Sequence, residues 1–233
     1  MENKTQPTLY KVASALLCYP SEELQSAIGE IRAALADAPD SLISLEPLLQ
    51  HIESTDLIDL QESYVVVFDR NPSHSLHLFE HVYGEDRARG QAMVDLLGEY
   101  SKHGFDVLSD ELPDYVPLFL EFLSTCDADE SAALLGDAVH VLAHIGNKLK
   151  GSESLYASVF DIVIACSPVA AEPLNVPPIR DMDEALETFG PSAEGVEPLL
   201  SAHGNSQGIP EIAPIKFYNT SPKAKQSDRN TSV

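Results

Sequence analysis

The sequence predicts an all-α protein: a single compact, helical bundle-like domain of about eight to nine helices, followed by a largely irregular C-terminal tail. Three observations support this prediction. Apolar residues recur every three to four positions through most of the chain up to Cys166, which is the period of one helix face. Prolines and N-cap residues divide this pattern into segments of helical length. Between Ser167 and Val233 the composition changes, because nine of the sixteen prolines lie there.

The predicted helices follow one another through short connections. The first spans 8–18 and stops at Tyr19-Pro20, because the residue before a proline disfavours helical geometry. Ser21 is a suitable N-cap for the second helix, which ends near Pro39. That helix carries one apolar stripe, formed by Leu24, Ile28, Ile31 and Leu35. The remaining helices are predicted at 41–53, 55–68, 75–83, 86–103, 114–125, 129–149 and 153–166.

One short run could be read in two ways. YVVVF at 64–68 has strand propensity, but a lone strand would leave its backbone unpaired, so we interpret it as the end of a buried helix. The compact domain is expected at 1–170. A Pro/Gly/Ser-rich tail at 171–233 is expected to be partly or wholly disordered, with a helical pattern only at 181–189. Cys18, Cys126 and Cys166 are far apart among apolar neighbours, which predicts buried, free thiols in a reducing compartment.

The charge balance limits the kinds of partner. Thirty-seven acidic residues against fourteen basic ones give a net charge of -23, which disfavours nucleic acid and anionic membrane surfaces. A basic protein surface or peptide is the expected partner, and a merely solvated acidic surface is the alternative. The N-terminus lacks the features of a secretory signal, and no apolar stretch is long enough to span a membrane. We therefore expect a cytoplasmic protein that is not an integral membrane protein.

The segment ELPDYVPLFLEFLS, residues 111–124, is predicted to begin a helix. Asp114 would cap it through its carboxylate, and Pro117 would lie in the first turn, where no intrahelical hydrogen bond is lost. Its apolar stripe consists of Tyr115, Leu118, Phe119, Phe122 and Leu123. Glu121 lies off the stripe. The stripe is either part of the core or one wall of a groove for a partner.

The segment LHLFEHVYGEDRARGQAMVDLLGEY, residues 76–100, reads as two short helices joined at Gly84. The inward face of the second is expected to contain Gly90, Met93, Leu97 and Tyr100, with Gly90 allowing a close helix approach. Arg89 would lie beside that face and Arg87 away from it. These arginines either form structural ion pairs with an acidic helix or dock a carboxylate or carbonyl of a partner.

Catalytic chemistry finds little support. A helix at 75–83 would align His74, His77 and His81 on one face, and His140 and His144 form a second pair. The latter lie in HVLAH, without the glutamate of HExxH, and no phosphate loop, GxGxxG or GxSxG motif occurs. We predict that the chain is not an enzyme and holds no metal. The alternative is a metal-dependent helical hydrolase.

The two segments resemble the NarJ-type (delta subunit) family of nitrate reductase molybdenum cofactor assembly chaperones, within the wider molybdoenzyme (redox enzyme maturation) chaperone superfamily. The first is similar to the family's FEH-x-x-G-x-x-R-x-R-G-Q-A-M-V-D-L block, and the second to its ELPDY-x-P-L-F-L-E-F block. The opening LL-x-YP, here LLCYP at 16–20, is also familial. The resemblance covers roughly residues 8–165.

This resemblance implies a chaperone of nitrate metabolism. Such a protein binds the apo catalytic (alpha) subunit of respiratory nitrate reductase, including its N-terminal segment, and delays membrane docking. It keeps that subunit competent for insertion of the molybdenum cofactor, a bis-molybdopterin guanine dinucleotide, without binding the cofactor stably itself. Cofactor-biosynthesis proteins are a further candidate partner of such a chaperone. A chaperone for a dimethyl sulfoxide or trimethylamine N-oxide reductase is the alternative, although Tyr115 and the RGQAM block argue against it.

Within the two blocks we select candidate residues of two kinds. The candidates for partner binding are His77, Glu80, His81, Arg87, Arg89, Asp114, Tyr115, Phe119 and Glu121. The candidates for a structural role are Gly84, Gly90, Pro113 and Pro117.

Overall fold

The computed structural model describes residues 5–84, 87–107 and 111–174, and these ranges contain nine α-helices and no β-strand. The helices are α1 Thr5–Leu17, α2 Glu22–Ala34, α3 Pro39–Ser54, α4 Leu57–Tyr64, α5 Glu80–Tyr83, α6 Ala88–Lys102, α7 Val116–Thr125, α8 Ala128–Gly151 and α9 Ala157–Ala165. The all-α prediction is confirmed. No described helix is both long and apolar enough to cross a membrane.

Local signals set most helix ends where the sequence predicts them. The Ser21 hydroxyl caps α2 by accepting a hydrogen bond from the Leu24 amide at 3.3 Å. Helix α4 continues into one π-helical turn, Val65–Asp69, so the run at 64–68 is helical as interpreted. A short 3₁₀ turn, Pro72–His74, follows it.

Helix α1 lies at the centre of the bundle, where it packs chiefly against α7 and also against α9 and α2. Tyr10 and Leu16 of α1 and Phe119 of α7 are completely buried. The Ser14 hydroxyl of α1 donates to the Pro117 carbonyl at 2.7 Å, which ties the two helices together at the start of α7. The α2 stripe also packs as predicted, with Leu24 half-buried and Ile28, Ile31 and Leu35 buried.

The prediction of a helix at 75–83 is largely wrong. Only Glu80–Tyr83 is helical, because residues 75–79 run in a non-helical path in which His77 forms an isolated antiparallel bridge with Tyr115. The histidines predicted to align on one helix face therefore do not share one. Gly84 does end α5, with a φ of 53° that favours glycine.

Two further expectations are corrected. On α6 the fully buried residues are Leu96 and Tyr100, whereas Leu97 is 39% exposed. Gly90 is also exposed, and a Cβ added there would meet nothing within 4 Å, so it supports no close helix approach. The three cysteines are free thiols, but Cys18 is exposed and the other two are only half-buried.

Beyond α9 the described chain turns back along α8. The Glu172 amide donates to Nδ1 of His140 at 2.9 Å, and Val169 lies against Gly136. Residues 175–233 lie outside the described ranges, and with them the predicted 181–189 helix and almost all of the tail predicted to be disordered.

Candidate partner-binding groove

An open groove of about 470 Å³ lies between the α1–α2 junction, the π-helical turn and the two segments that carry the family resemblance. Its apolar lining is mainly aromatic: besides Pro72 and Leu76, it contains Tyr19, Tyr64, Phe68 and Tyr115. Its acidic groups are Asp69, Glu80 and Glu111. We call this surface, together with His77, the aromatic groove. It can accept apolar side chains along its wall and positive charge at its rim.

The tyrosines of the groove belong to a chain of ring contacts. Tyr19 lies edge-on to Tyr64, with 5.5 Å between ring centroids, and Tyr64 contacts Phe68 at 4.7 Å. The Tyr64 hydroxyl donates to the Leu17 carbonyl at 2.7 Å, which fixes the ring at the end of α1. Burial raises the pKa of Tyr115 to about 12, so its phenol stays neutral at physiological pH.

Asp114 joins the two resembling segments. Its backbone carbonyl accepts from the Leu78 amide at 3.0 Å, and Oδ2 of its side chain accepts from the Phe79 amide, also at 3.0 Å. The Asp114 side chain is completely buried. The prediction that Asp114 caps α7 is wrong: Tyr115 is the N-cap and makes no side-chain capping bond. The carboxylate instead satisfies an amide of the segment that leads into α5.

His77 lies between Asp114 and the open groove. Its Nδ1 is 3.4 Å from Oδ1 of Asp114, and its ring packs on Tyr115 with 5.5 Å between centroids. Interaction with the Asp114 carboxylate raises the pKa of His77, and partial burial opposes this only incompletely. His77 therefore gains positive charge more readily than a free histidine.

Glu80 is held from two sides. The Ser75 hydroxyl donates to one carboxylate oxygen of Glu80, and Arg89 of α6 donates to the other at 3.0 Å. For Arg89, this contact is the structural ion pair proposed as one of the two interpretations of the arginines. Because Arg89 offsets its charge, Glu80 attracts an incoming cation less than Asp69 and Glu111 do.

His81 is buried, and one of its ring nitrogens is bound by the backbone. Its Nε2 must donate to the Ser75 carbonyl at 2.8 Å, and its ring is 5.6 Å from that of His144. Burial lowers the pKa of His81, which keeps the imidazole neutral. Within the described ranges no three His, Cys, Asp or Glu side chains are placed to share a metal ion, so the histidines give no support to a metal-dependent hydrolase.

The structure brings together some of the residues selected from sequence and separates others. His77, Glu80 and Tyr115 line the groove, while Asp114 and Arg89 support them from behind. The remaining partner-binding candidates lie elsewhere: His81 and Phe119 are buried, and Arg87 and Glu121 are exposed outside the groove lining.

The four residues selected for a structural role lie in different surroundings. Gly84 ends α5, and Pro117 occupies the second position of α7, within the first turn as predicted. The Pro113 carbonyl accepts from the Tyr100 hydroxyl at 2.7 Å. Gly90 has no comparable contact.

Sequence reasoning missed the opposite wall of the groove. Tyr19, Tyr64 and Phe68, together with Asp69, come from the N-terminal third of the chain. Only Tyr19 carried a signal, as part of the LLCYP opening that resembles the family.

Comparison with solved structures concerns the fold. The crystal structure of an Archaeoglobus fulgidus protein assigned to redox enzyme maturation superposes with a TM-score of 0.52 at 22% identity, covering 68% of this chain and 91% of that one. At this identity the likeness shows the fold alone. This chain thus shares the all-helical fold of that protein.

Sequence comparison then gives the family. A family model described as nitrate reductase delta subunit matches residues 21–161. The Escherichia coli K12 nitrate reductase molybdenum cofactor assembly chaperone NarJ is 39% identical over 165 residues, 69% of this chain and 70% of NarJ. NarW of the same strain, assigned the same role, is 40% identical over 160 residues, 67% of this chain and 66% of NarW. The chain belongs to the nitrate reductase delta subunit family, which confirms the resemblance seen in its two blocks.

Proposed function

We propose that this chain is the dedicated chaperone of a respiratory nitrate reductase and binds the apo catalytic subunit, including its N-terminal segment, in the aromatic groove. It does so in the cytoplasm, before the enzyme docks at the membrane, and holds the subunit competent for insertion of bis-molybdopterin guanine dinucleotide. The chaperone performs no catalysis and keeps no cofactor of its own. Its relatives NarJ and NarW, named as molybdenum cofactor assembly chaperones, support this role.

One structural observation carries the proposal. The two segments that identify the family are distant in sequence, but they pair through the bridge between His77 and Tyr115, and both line the aromatic groove. The third familial segment, LLCYP, supplies Tyr19 on the facing wall. Each of the three familial segments thus contributes residues to the groove. A recognition role explains this coincidence better than a purely structural one, because Tyr19 is 52% exposed and contributes little to the core.

The physical properties of the groove suit a short amphipathic segment. Aromatic rings bury large apolar areas with few rotatable bonds, so anchoring side chains gain affinity at low entropic cost. Carboxylates at the rim of a chain with net charge -23 steer a basic segment towards the groove and raise its association rate more than its affinity. Binding should therefore weaken as ionic strength rises.

Isothermal titration calorimetry tests the proposal directly. The probe is a synthetic peptide with the N-terminal sequence of the nitrate reductase catalytic subunit from the same organism, titrated at low and at high salt. We expect binding at low salt that weakens at high salt. In wild-type protein, the corresponding peptide of a dimethyl sulfoxide reductase should bind far more weakly.

A matched pair of variants assigns the binding to the groove. Tyr19→Ala removes an exposed ring from the groove, and Ile43→Ala removes an exposed apolar side chain, 72% accessible, from α3 outside it. Tyr19→Ala should weaken binding by about tenfold, the range for loss of an aromatic anchor, while Ile43→Ala leaves it unchanged. Equal affinities for both variants would refute binding in the groove. No binding of the peptide to wild type at low salt would also refute recognition of the N-terminal segment.

A further inference from the structure

The free negative charge of the aromatic groove is concentrated at two side chains. Of the three groove carboxylates, Glu80 is paired with Arg89. Asp69 and Glu111 are exposed and form no ion pair with any other described residue. Arg70 follows Asp69 in the chain but does not line the groove. A cation that enters the groove therefore meets two carboxylates, neither of which is paired with a basic side chain of the described residues.

These two carboxylates line the same groove as the aromatic ring of Tyr115. After burial, which is the largest cause, the negative charges around Tyr115 raise the pKa of its phenol, and Glu111 and Asp69 are both among them. The ring is half-buried and neutral, and the π-helical turn ends at Asp69, which places this carboxylate in the groove together with Phe68. A neutral phenol ring with acids nearby attracts cations through its quadrupole and through the carboxylate charge.

The kind of cation follows from the donor set. A hard divalent ion such as Ca²⁺ takes six or more oxygen ligands at short distance, whereas only two groove carboxylates lack an ion pair and no three His, Cys, Asp or Glu side chains of the described residues are placed to share a metal ion. An organic cation needs less: a planar guanidinium can stack on a tyrosine ring and donate to carboxylates at the same time. A lysine ammonium has the charge but lacks the flat surface.

We infer that this end of the aromatic groove is a subsite for one arginine side chain of the bound segment, stacked against Tyr115 and paired with Asp69 and Glu111. The inference rests on the proposed function for the identity of that segment. It adds that one basic position is read individually, whereas the other basic residues of the segment act only through long-range attraction. The subsite fixes the register of the segment, because a single arginine has to occupy it.

The test combines changes on both partners. On the chaperone, the double variant D69N/E111Q removes both charges with little change of shape, and E30Q/E62Q removes two exposed charges outside the groove lining. On the catalytic-subunit peptide, each arginine in turn is replaced by citrulline, which keeps the shape and removes the charge. Affinities come from calorimetry at low salt, and circular dichroism checks that each variant is folded.

We expect one citrulline peptide to bind wild-type chaperone about three- to tenfold more weakly than the parent peptide, the range for a partly exposed cation–π contact with an ion pair. D69N/E111Q should show a similar loss with the parent peptide and no further loss with that citrulline peptide, because both changes remove the same contact. E30Q/E62Q should bind the parent peptide within about twofold of wild type. The peptide-side replacements decide the question even if a chaperone variant does not fold.

Two results overturn the inference while the proposed function stands. One is a parent peptide that binds D69N/E111Q as tightly as wild type. The other is a set of citrulline peptides that all lose the same small factor, which indicates diffuse attraction. If the parent peptide does not bind wild type at all, the groove docking under the proposed function fails. The subsite is then tested by NMR, which compares the response of the protein to N-acetyl-argininamide with its response to the citrulline analogue. Shifts of the Tyr19 and Tyr115 ring signals with the arginine probe only would support the subsite, and equal or absent shifts would refute it.

Discussion

Replacing Asp114 should disturb the fold more than replacing any exposed acid, because its buried carboxylate holds the two family segments together. Asp114→Ala leaves the Phe79 amide without its acceptor in a buried position, which costs about 1–3 kcal/mol. Loss of the contact with His77 adds to this, so the free energy of unfolding should fall by about 2–4 kcal/mol in total. Asp114→Asn keeps a neutral acceptor for the amide and should cost about 1–2 kcal/mol.

The sign of the pH dependence follows from His77. Its folded-state pKa is raised above the ordinary value, so the stabilisation it receives from Asp114 is fully present below about pH 6.5 and is lost as the pH rises through the raised folded-state value. The difference in unfolding free energy between wild type and Asp114→Asn should therefore be largest near pH 5.5 and should decrease as the pH rises through the raised folded-state pKa of His77.

Urea unfolding followed by circular dichroism measures these differences, with Asp106→Asn as the control. Asp106 is exposed and close in sequence, and its replacement should change stability by no more than about 0.5 kcal/mol. A loss for Asp114→Ala as small as that of the control, or a loss for Asp114→Asn that does not vary with pH, would refute this account of the joint between the segments.

Three further predictions concern packing, a buried hydrogen bond and a buried histidine. Gly146→Ala should destabilise the protein by about 1–3 kcal/mol in urea unfolding, since its Cβ would lie 2.9 Å from Cβ of Phe160. Gly90→Ala, where the added Cβ meets open space, should stabilise the protein by about 0.5 kcal/mol. A larger loss of stability for Gly90→Ala than for Gly146→Ala would contradict the packing of α8 on α9. Tyr100→Phe should cost about 1–2 kcal/mol by the same measurement, because it leaves a backbone carbonyl without its buried donor, and a neutral result would show that water replaces the hydroxyl. Burial lowers the pKa of His81, so the stability it supports is present above about pH 6.5 and is lost as the pH falls towards the folded-state pKa. As the pH is lowered in an NMR titration, His77 should become protonated while His81 is still neutral. Protonation of His81 before His77 would be inconsistent with the burial of His81.

Local sequence signals were sufficient for most of the fold. The Ser21 cap and the stripe of α2 depend on residues within one or two helical turns, so period and capping chemistry predict them directly. The 75–83 segment shows where local reasoning stops. Its spacing of Leu76, Phe79 and Tyr83 fits a helix, but the Asp114 carboxylate, 35 residues away, binds the Phe79 amide, and no local pattern encodes this.

The candidate site divides in the same way. His77, Glu80 and Tyr115 were selected because they lie in segments with a recognisable signature, and they do line the groove. Tyr64 and Asp69 come from α4 and its π-helical turn, and their place in the groove depends on how that helix packs against the rest of the bundle. Packing of this kind is a tertiary property, which the 3.6-residue period does not contain.

Co-purification of the immature enzyme tests the central claim most directly. An affinity-tagged chain is expressed in cells that make the nitrate reductase catalytic subunit but cannot make the molybdenum cofactor, and the captured proteins are identified. We predict that the cofactor-free catalytic subunit is retained by wild type and by Ile43→Ala, and that much less is retained by Tyr19→Ala. Capture that fails with wild type, or that is equal for the two variants, would contradict recognition of the apo subunit through the aromatic groove.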